Sequence, residues 1–437
     1  MADNTSIEAR LVEVWEERSG VTMNGRLQDG RSKAIERFRT QGIPAARSEA
    51  WKYTPIRKVL ESLPPLEVGA GSSADAVTAD AVRALDISGL DGFRAVLVDG
   101  RFRADLSDLD GLPRGVRVLD LGESASDPVV LEHLDQSGTA SRDAFTELNS
   151  AFVQDGLFVH LAKGVVMERP LVILQVISGA KPSLVQPRVL GVFERGSQAR
   201  LVEVCRGLGS ERVLINAVSE YFTATDALID HVRLIDEPAE TVHVNSLRSY
   251  QEEKSNFSTN VITLSEGLVR NQAYFLPDGE YCETHLSGFY LAQNGAHVDN
   301  HTLVDHAKPE CYSNELFKGI LASNSVGVFN GKVLVRQDAQ KTNAYQSNKS
   351  VLLDESARTY SKPELEIYAD DVKCSHGATT GELDQDAMFY LRTRGIRPEQ
   401  ARLILLEAFA SDVLDRIALD PVREHIDQLV RTRLSRN

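Results

Sequence analysis

Cysteine is scarce in this sequence. Cys205, Cys282, Cys311 and Cys374 are the four thiols in 437 residues, and no two form a C-x-x-C pair. So thin a scatter is not a disulfide frame; it reads as the reduced thiols of a cytosolic chain. Long apolar runs are missing too. The stretch Leu171–Ile177, interrupted by Gln175, is among the longest and falls far short of the roughly 20 residues that cross a bilayer. The opening Met-Ala-Asp-Asn-Thr-Ser has no basic start, apolar core or small-residue cleavage site, so no secretory leader is expected. There is no basic run either. Acidic residues outnumber basic ones 63 to 48, for a net charge of −15, which favours solubility and disfavours tracking a nucleic-acid backbone.

The signatures of common enzymes are also absent. The nearest string to a phosphate-binding loop is Gly327-Val-Phe-Asn-Gly331-Lys332-Val333. It is one residue short and carries Val where the magnesium-binding hydroxyl must stand, so ATP hydrolysis is not expected. Gly207-Leu-Gly209 lacks the third glycine and the helix of a dinucleotide fingerprint and reads as a turn. No G-x-S-x-G elbow occurs. His297 and His301 are four apart, but no Glu follows His297 and the segment is not helical in pattern, which argues against a zincin site.

What is present divides into three regions. Residues 1–155 are mixed and helix-rich. Leu11, Val14 and Trp15 share one face of a helix beginning near Ser6, and residues 32–40 predict a second, short helix stopped by Gly42 and Pro44. Asp99-Gly100, between apolar alternations, predicts a two-residue hairpin. Residues 156–382 are a long series of short Val/Ile/Leu/Phe/Tyr runs, among them Ala199–Val204, Val261–Leu264 and Val326–Val335, broken by Gly, Asn, Asp and Ser. So many short strands, with Asn assigned to the turns, fit a parallel β-helix better than one very large sandwich, although no strict repeat is visible. Residues 383–437 are helical: Asp384 caps a first helix, Gly395 ends it, Pro398 opens a second carrying Leu403, Leu406, Ala410, Val413 and Ile417, and a third follows Pro421. Every basic residue in this last region is Arg, the cation favoured at protein interfaces.

Two groups of residues carry candidate chemistry. The first spans Cys282 to Cys311 with His285, His297, His301, Asp305, His306 and Glu310; its irregular spacing favours packing roles over a metal site, and Cys205, Cys282 and Cys311 read as packing residues. The second is Cys374-Ser375-His376, at the end of the strand-rich region. On a strand, residues two apart share a face, so one thiol and one imidazole would be presented together, a pair suited to iron. Two ligands are half of a cluster site. The remainder would come from a second chain, from solvent or from substrate, which places the site at a subunit interface.

The flanks of this pair resemble a known family. Ser313-Asn-Glu-Leu-Phe-Lys-Gly319, Phe329-Asn-Gly331-Lys, Ala339-Gln-Lys-Thr-Asn343-Ala-Tyr-Gln-Ser-Asn348, Pro363-Glu-Leu-Glu-Ile-Tyr368 and Phe389-Tyr-Leu-Arg-Thr-Arg-Gly395-Ile are similar to the SufB/SufD family. So are Glu49-Ala-Trp51-Lys-Tyr53-Thr54 and Leu148-Asn149-Ser-Ala-Phe152-Val-Gln-Asp155-Gly156. Cys374-Ser-His376, where SufB members carry a Glu-His pair, points to the SufD branch. The resemblance implies a mainly β protein with a right-handed parallel β-helix core between helical terminal domains. It implies a non-catalytic scaffold subunit of the SUF iron–sulfur cluster assembly complex, partnered by a SufB-like paralogue and by the SufC ATPase docked on the C-terminal helices. It further implies no tightly bound cofactor, and transient iron or a nascent cluster held by His376, with Cys374 assisting, at the junction with SufB; whether the isolated chain is a homodimer is left open by the sequence. Since neutral imidazole and thiolate bind metal, assembly is expected to weaken as pH falls through the histidine range. The alternatives are an independent homodimeric iron donor or metal carrier and, further off, a β-helix polysaccharide enzyme.

Overall fold

A computed structural model describes residues 6–18, 25–45, 47–64, 66–68, 72–136 and 142–435. The protein is mainly β, a solenoid of about eight turns with helices at both ends. Each coil contributes one strand to an eleven-stranded sheet and one to a ten-stranded sheet, and neighbouring coils pair in parallel. The strands Leu171–Ile177 and Val326–Val335 fall where the apolar runs predict them. The Asp99-Gly100 hairpin forms between Phe93–Val98 and Arg101–Phe102, with both turn residues at positive φ, 49° and 82°, the backbone that a tight I′-type hairpin demands.

Side chains alternate between the lumen and the outside, and both directions are largely buried. On the ten-stranded sheet Leu201, Ile229, Phe257 and Phe317 face inward. Their neighbours Val202, Val204, Val232, Leu234, Ile262, Leu264 and Ile320 pack outward against Leu406, Ala410, Val413, Ile426 and Val430 of the helices Pro398–Leu414 and Asp420–Leu434. Burial on both faces explains why these strands read as near-continuous apolar runs. The outer face of the eleven-stranded sheet is covered from the other end of the chain. There Leu184, Leu214, Val242 and Val244 meet Ile35, Phe38, Trp51, Phe145 and Leu148.

The N-terminal helices are Ile7–Arg18, Gly25–Gln41 and Ala144–Phe152 among others. The second begins well before the expected residue 32. The part before residue 32 is mostly polar and gives no apolar signal; it is tied down by bonds such as Arg31 Nε to the Ala151 carbonyl at 3.0 Å, while Ile35 and Phe38 further along enter the core. The helix Ala144–Phe152 is buried along its whole length. Asn149 satisfies two solenoid carbonyls, of Pro187 at 3.0 Å and Asn216 at 2.7 Å, so a polar residue of the Leu148-Asn149 motif acts as a fastener.

The lumen is not uniformly apolar. Glu203, His231, Arg233 and Tyr221 meet inside it, all fully buried, with Arg233 Nη2 2.5 Å from Glu203 Oε2. Asn245, Asn271 and Asn300 stack in register on three successive strands, each amide donating to the next. The sequence reading assigned asparagine to turns; here it forms a ladder within the strands, where in-register stacking gives the Asn245 and Asn271 amides an acceptor on the next strand.

Candidate functional site

The solenoid ends on two strands, Arg358–Ile367 and Lys373–Gly381, each paired on one side only. The final strand is almost wholly exposed. Such an edge presents a row of unpaired backbone donors and acceptors. Tyr368 stands beside it, 64% exposed. Next comes Asp384, whose side chain accepts the amides of Asp386 and Ala387 and starts the helix Gln385–Thr393 as expected.

Cys374 and His376 both lie on this last strand. Register aligns Cys374 with Ala344 and His376 with Gln346. Ala344 and Gln346 belong to the lumen-facing row, so the thiol and imidazole sit over the mouth of the lumen, on the same face. Cys374 is half-buried and His376 exposed. Partial burial pushes the Cys374 thiol up. A thiol and an imidazole are thus presented on one face of the edge strand, with solvent on the open side.

The floor of the mouth is polar and fully enclosed. Gln346 donates to Glu315 Oε1 at 3.2 Å, and Thr302 donates to Glu315 Oε2 at 2.5 Å. No cation faces Glu315 among its hydrogen-bond partners; burial pushes its carboxyl up to about 7. Asn348 donates to Ser361 at 2.9 Å. Gly331 lies opposite Gln346, and a Cβ there would stand 2.5 Å from the Gln346 amide nitrogen. Gly327 and Gly331, which resemble a phosphate loop in sequence, are thus interior residues of one strand, and Gly331 is needed for the space it leaves. Glu315 and Gln346 were not singled out as site residues. Each stands roughly one coil from the next, and only the register shows that they stack beneath His376.

The His-rich patch is dispersed. His297, Asp299 and His301 line the outer face of the eleven-stranded sheet, where Thr54 bonds His297 Nε2 at 2.9 Å and Asp299 Oδ2 at 2.5 Å. His285 is on the other sheet beside Tyr312, and His306 is buried against Ser313 at 2.9 Å, its pKa lowered by burial to about 4. Among the described residues no group of three or more His, Cys, Asp or Glu side chains is arranged to hold a metal. Cys205 is buried beside Ile235 and Val269. Cys282 and Cys311, both buried, lie together in successive turns; each sulfur is within reach of the Gly279 carbonyl, at 3.2 and 3.1 Å, and the Cys311 thiol hydrogen-bonds Cys282.

Comparison with known proteins decides the family. Residues 175–409 match the profile described as SUF system FeS cluster assembly, SufBD core domain, and residues 6–173 match the SufBD protein N-terminal region. The chain belongs to the SufB/SufD family. An iron–sulfur cluster assembly SufBD family protein of Synechocystis is 28% identical, covering 93% of this chain and 91% of its own length. The iron–sulfur cluster assembly protein SufD of Escherichia coli is 26% identical over 92% of this chain and 91% of its own length. SufD of Bacillus subtilis is 24% identical over 66% of each. The protein is therefore an iron–sulfur cluster assembly protein of the SufBD family. No helix among its described residues is long and apolar enough to cross a membrane.

Two groups of arginines in the C-terminal region differ in role. Arg416 reaches back to Ser287 and Asn314, and Arg433 to Asp236 and the Leu264 carbonyl, so both fasten the helices to the solenoid. Arg392, Arg394 and Arg397 remain exposed next to Phe389 and Tyr390, which are 68% and 58% exposed. Large exposed aromatics beside arginines are the composition of an interaction surface.

Proposed function

We propose that this chain is a non-catalytic scaffold subunit that pairs through its open solenoid end with a SufB-like paralogue, and that His376, assisted by Cys374, holds transient iron or a nascent cluster at that junction. The observation that carries the reading is a thiol and an imidazole on one face of an edge strand that is open on its other side. A partner strand would complete both the hydrogen-bond ladder and the ligand set. The SufC ATPase, by this reading, docks on the exposed aromatic and arginine surface of the helix Gln385–Thr393. Energy then comes from the partner.

Co-expression with a SufB-like paralogue and its SufC ATPase, read by size-exclusion chromatography with light scattering, tests the assembly. One peak containing all three chains is expected. Elution of this chain alone as a dimer that binds neither partner would overturn it. His376→Ala in the assembled complex is expected to abolish cluster formation and Cys374→Ala to reduce it; undiminished cluster yield in the His376 variant removes the ligand assignment.

A further inference from the structure

We infer that Gln346 is the positioning residue of His376: its side-chain oxygen accepts one imidazole N–H, fixing the tautomer that turns the other ring nitrogen toward iron. The inference rests on the reading of His376 as a ligand and adds the group that aims it.

Three observations support it. His376 and Gln346 are register partners on adjacent parallel strands, which sets their side chains on one face at a spacing of about 4.8 Å. The Gln346 oxygen is buried and has no hydrogen-bond partner among the described residues, although the residue is only 3% exposed. Its nitrogen, by contrast, is committed to Glu315 below. With the nitrogen committed to Glu315 Oε1, the oxygen is left for a donor from another direction. Buried amide acceptors are rarely left unsatisfied, and the next rung of the ladder toward the mouth is an imidazole. Thr302 and Gly331 hold the arrangement from the opposite sheet, one by a hydrogen bond to Glu315 and the other by leaving room for the amide.

The chemistry follows from the requirements of a histidine ligand. A metal-binding imidazole uses one neutral nitrogen and donates from the other, and an acceptor behind it orients the ring and fixes the tautomer. The row Glu315, Gln346, His376 supplies this relay: a carboxyl anchors an amide, and the amide anchors a ring. The ligand it serves is a borderline divalent cation, ferrous iron in the present reading.

The test uses the full chain labelled with ¹⁵N-histidine. In the wild type, long-range proton–nitrogen correlations are expected to show His376 in a single tautomer; in Gln346→Met, which keeps volume and removes the amide, both tautomers should appear as in free imidazole. Anaerobic titration with ferrous iron alone should weaken about tenfold or more in Gln346→Met, the usual scale for such a partner. Gln346→Asn, which retains the amide but shortens it, serves as a second variant should the first fail to fold, with a partial loss expected. An unchanged tautomer ratio in a folded Gln346 variant overturns the positioning role, whether or not the isolated chain takes up iron. Iron binding that survives His376→Ala instead overturns the ligand reading, so the two failures are distinguishable.

Discussion

Trp51 lies over the guanidinium of Arg270, 3.7 Å from ring centroid to Cζ, and stacks on Phe145 with ring centroids 5.1 Å apart. Arg270 in turn pairs with Asp299 at 2.5 Å, and Asp299 receives the Thr54 hydroxyl. The segment from Trp51 to Thr54 thus clamps the N-terminal helices to the eleven-stranded sheet. Trp51→Ala should cost about 3–5 kcal/mol, the range for an emptied large aromatic site. Urea unfolding with limited proteolysis checks it: the N-terminal helices should become cleavable at lower denaturant than the solenoid.

The lumenal ion pair makes a second prediction. Burial opposes ionisation of Glu203, and Arg233 with His231 overcomes it, holding the carboxyl well below the usual range. Arg233→Met should destabilise by about 3–5 kcal/mol because a buried carboxylate loses its cation. The double variant Arg233→Met, Glu203→Gln should recover part of that loss. Chemical denaturation of the three proteins measures the difference.

A pH dependence is expected from Asp155. Burial, reinforced by the neighbouring Asp120 carboxyl, pushes its pKa up to about 7, against about 3.9 in an unfolded chain. Between those values the folded state holds a proton that the unfolded state has released, so stability falls as pH rises through this window. The advantage of Asp155→Asn over the wild type should grow from pH 5 to pH 7 and level off by pH 8. Thermal melts across that range decide the matter, and parallel curves for the two proteins would refute it.

Cys282 and Cys311 should form a disulfide on treatment with diamide. Adjacent parallel strands lie about 4.8 Å apart, inside the Cα range a disulfide accepts. Cys282 is the thiol that ionises first, its pKa lowered by the hydrogen bond from Cys311. Two electrons and two protons pass to diamide, and titratable thiols in the denatured protein should fall from four to two. Either Cys→Ser change should abolish the cross-linked peptide seen by mass spectrometry.

The architecture was legible where local chemistry writes it. Asp99-Gly100 and Asp384 did in the structure what their residue types require, and the alternation of short strands with turns declared a solenoid. The stacking inside was not legible. The offset between paired positions changes from 28 residues, Leu228 to Asn256, to 31, Tyr312 to Asn343. Turn lengths vary while register stays fixed, so no constant period marks which residues share a lumenal row. Glu203 and Arg233, or Glu315 and Gln346, therefore look unrelated in one dimension. Cys374 and His376 were visible because they are two apart on one strand; Gln346 was not, because its relation to them is made across a coil.

The attachment of the C-terminal helices has a mechanical consequence. They meet the solenoid in two ways: broadside, through Lys318, Arg416 and Arg433, and end-on, through residues 382–384 that continue the last strand. A load on the broadside anchors is spread across several coils at once. A load on the end-on connection peels the strand Lys373–Gly381 from its single neighbour one hydrogen bond after another, the weakest way to open a sheet. The backbone that carries Cys374 and His376 is therefore where a pull on the helices would first find slack.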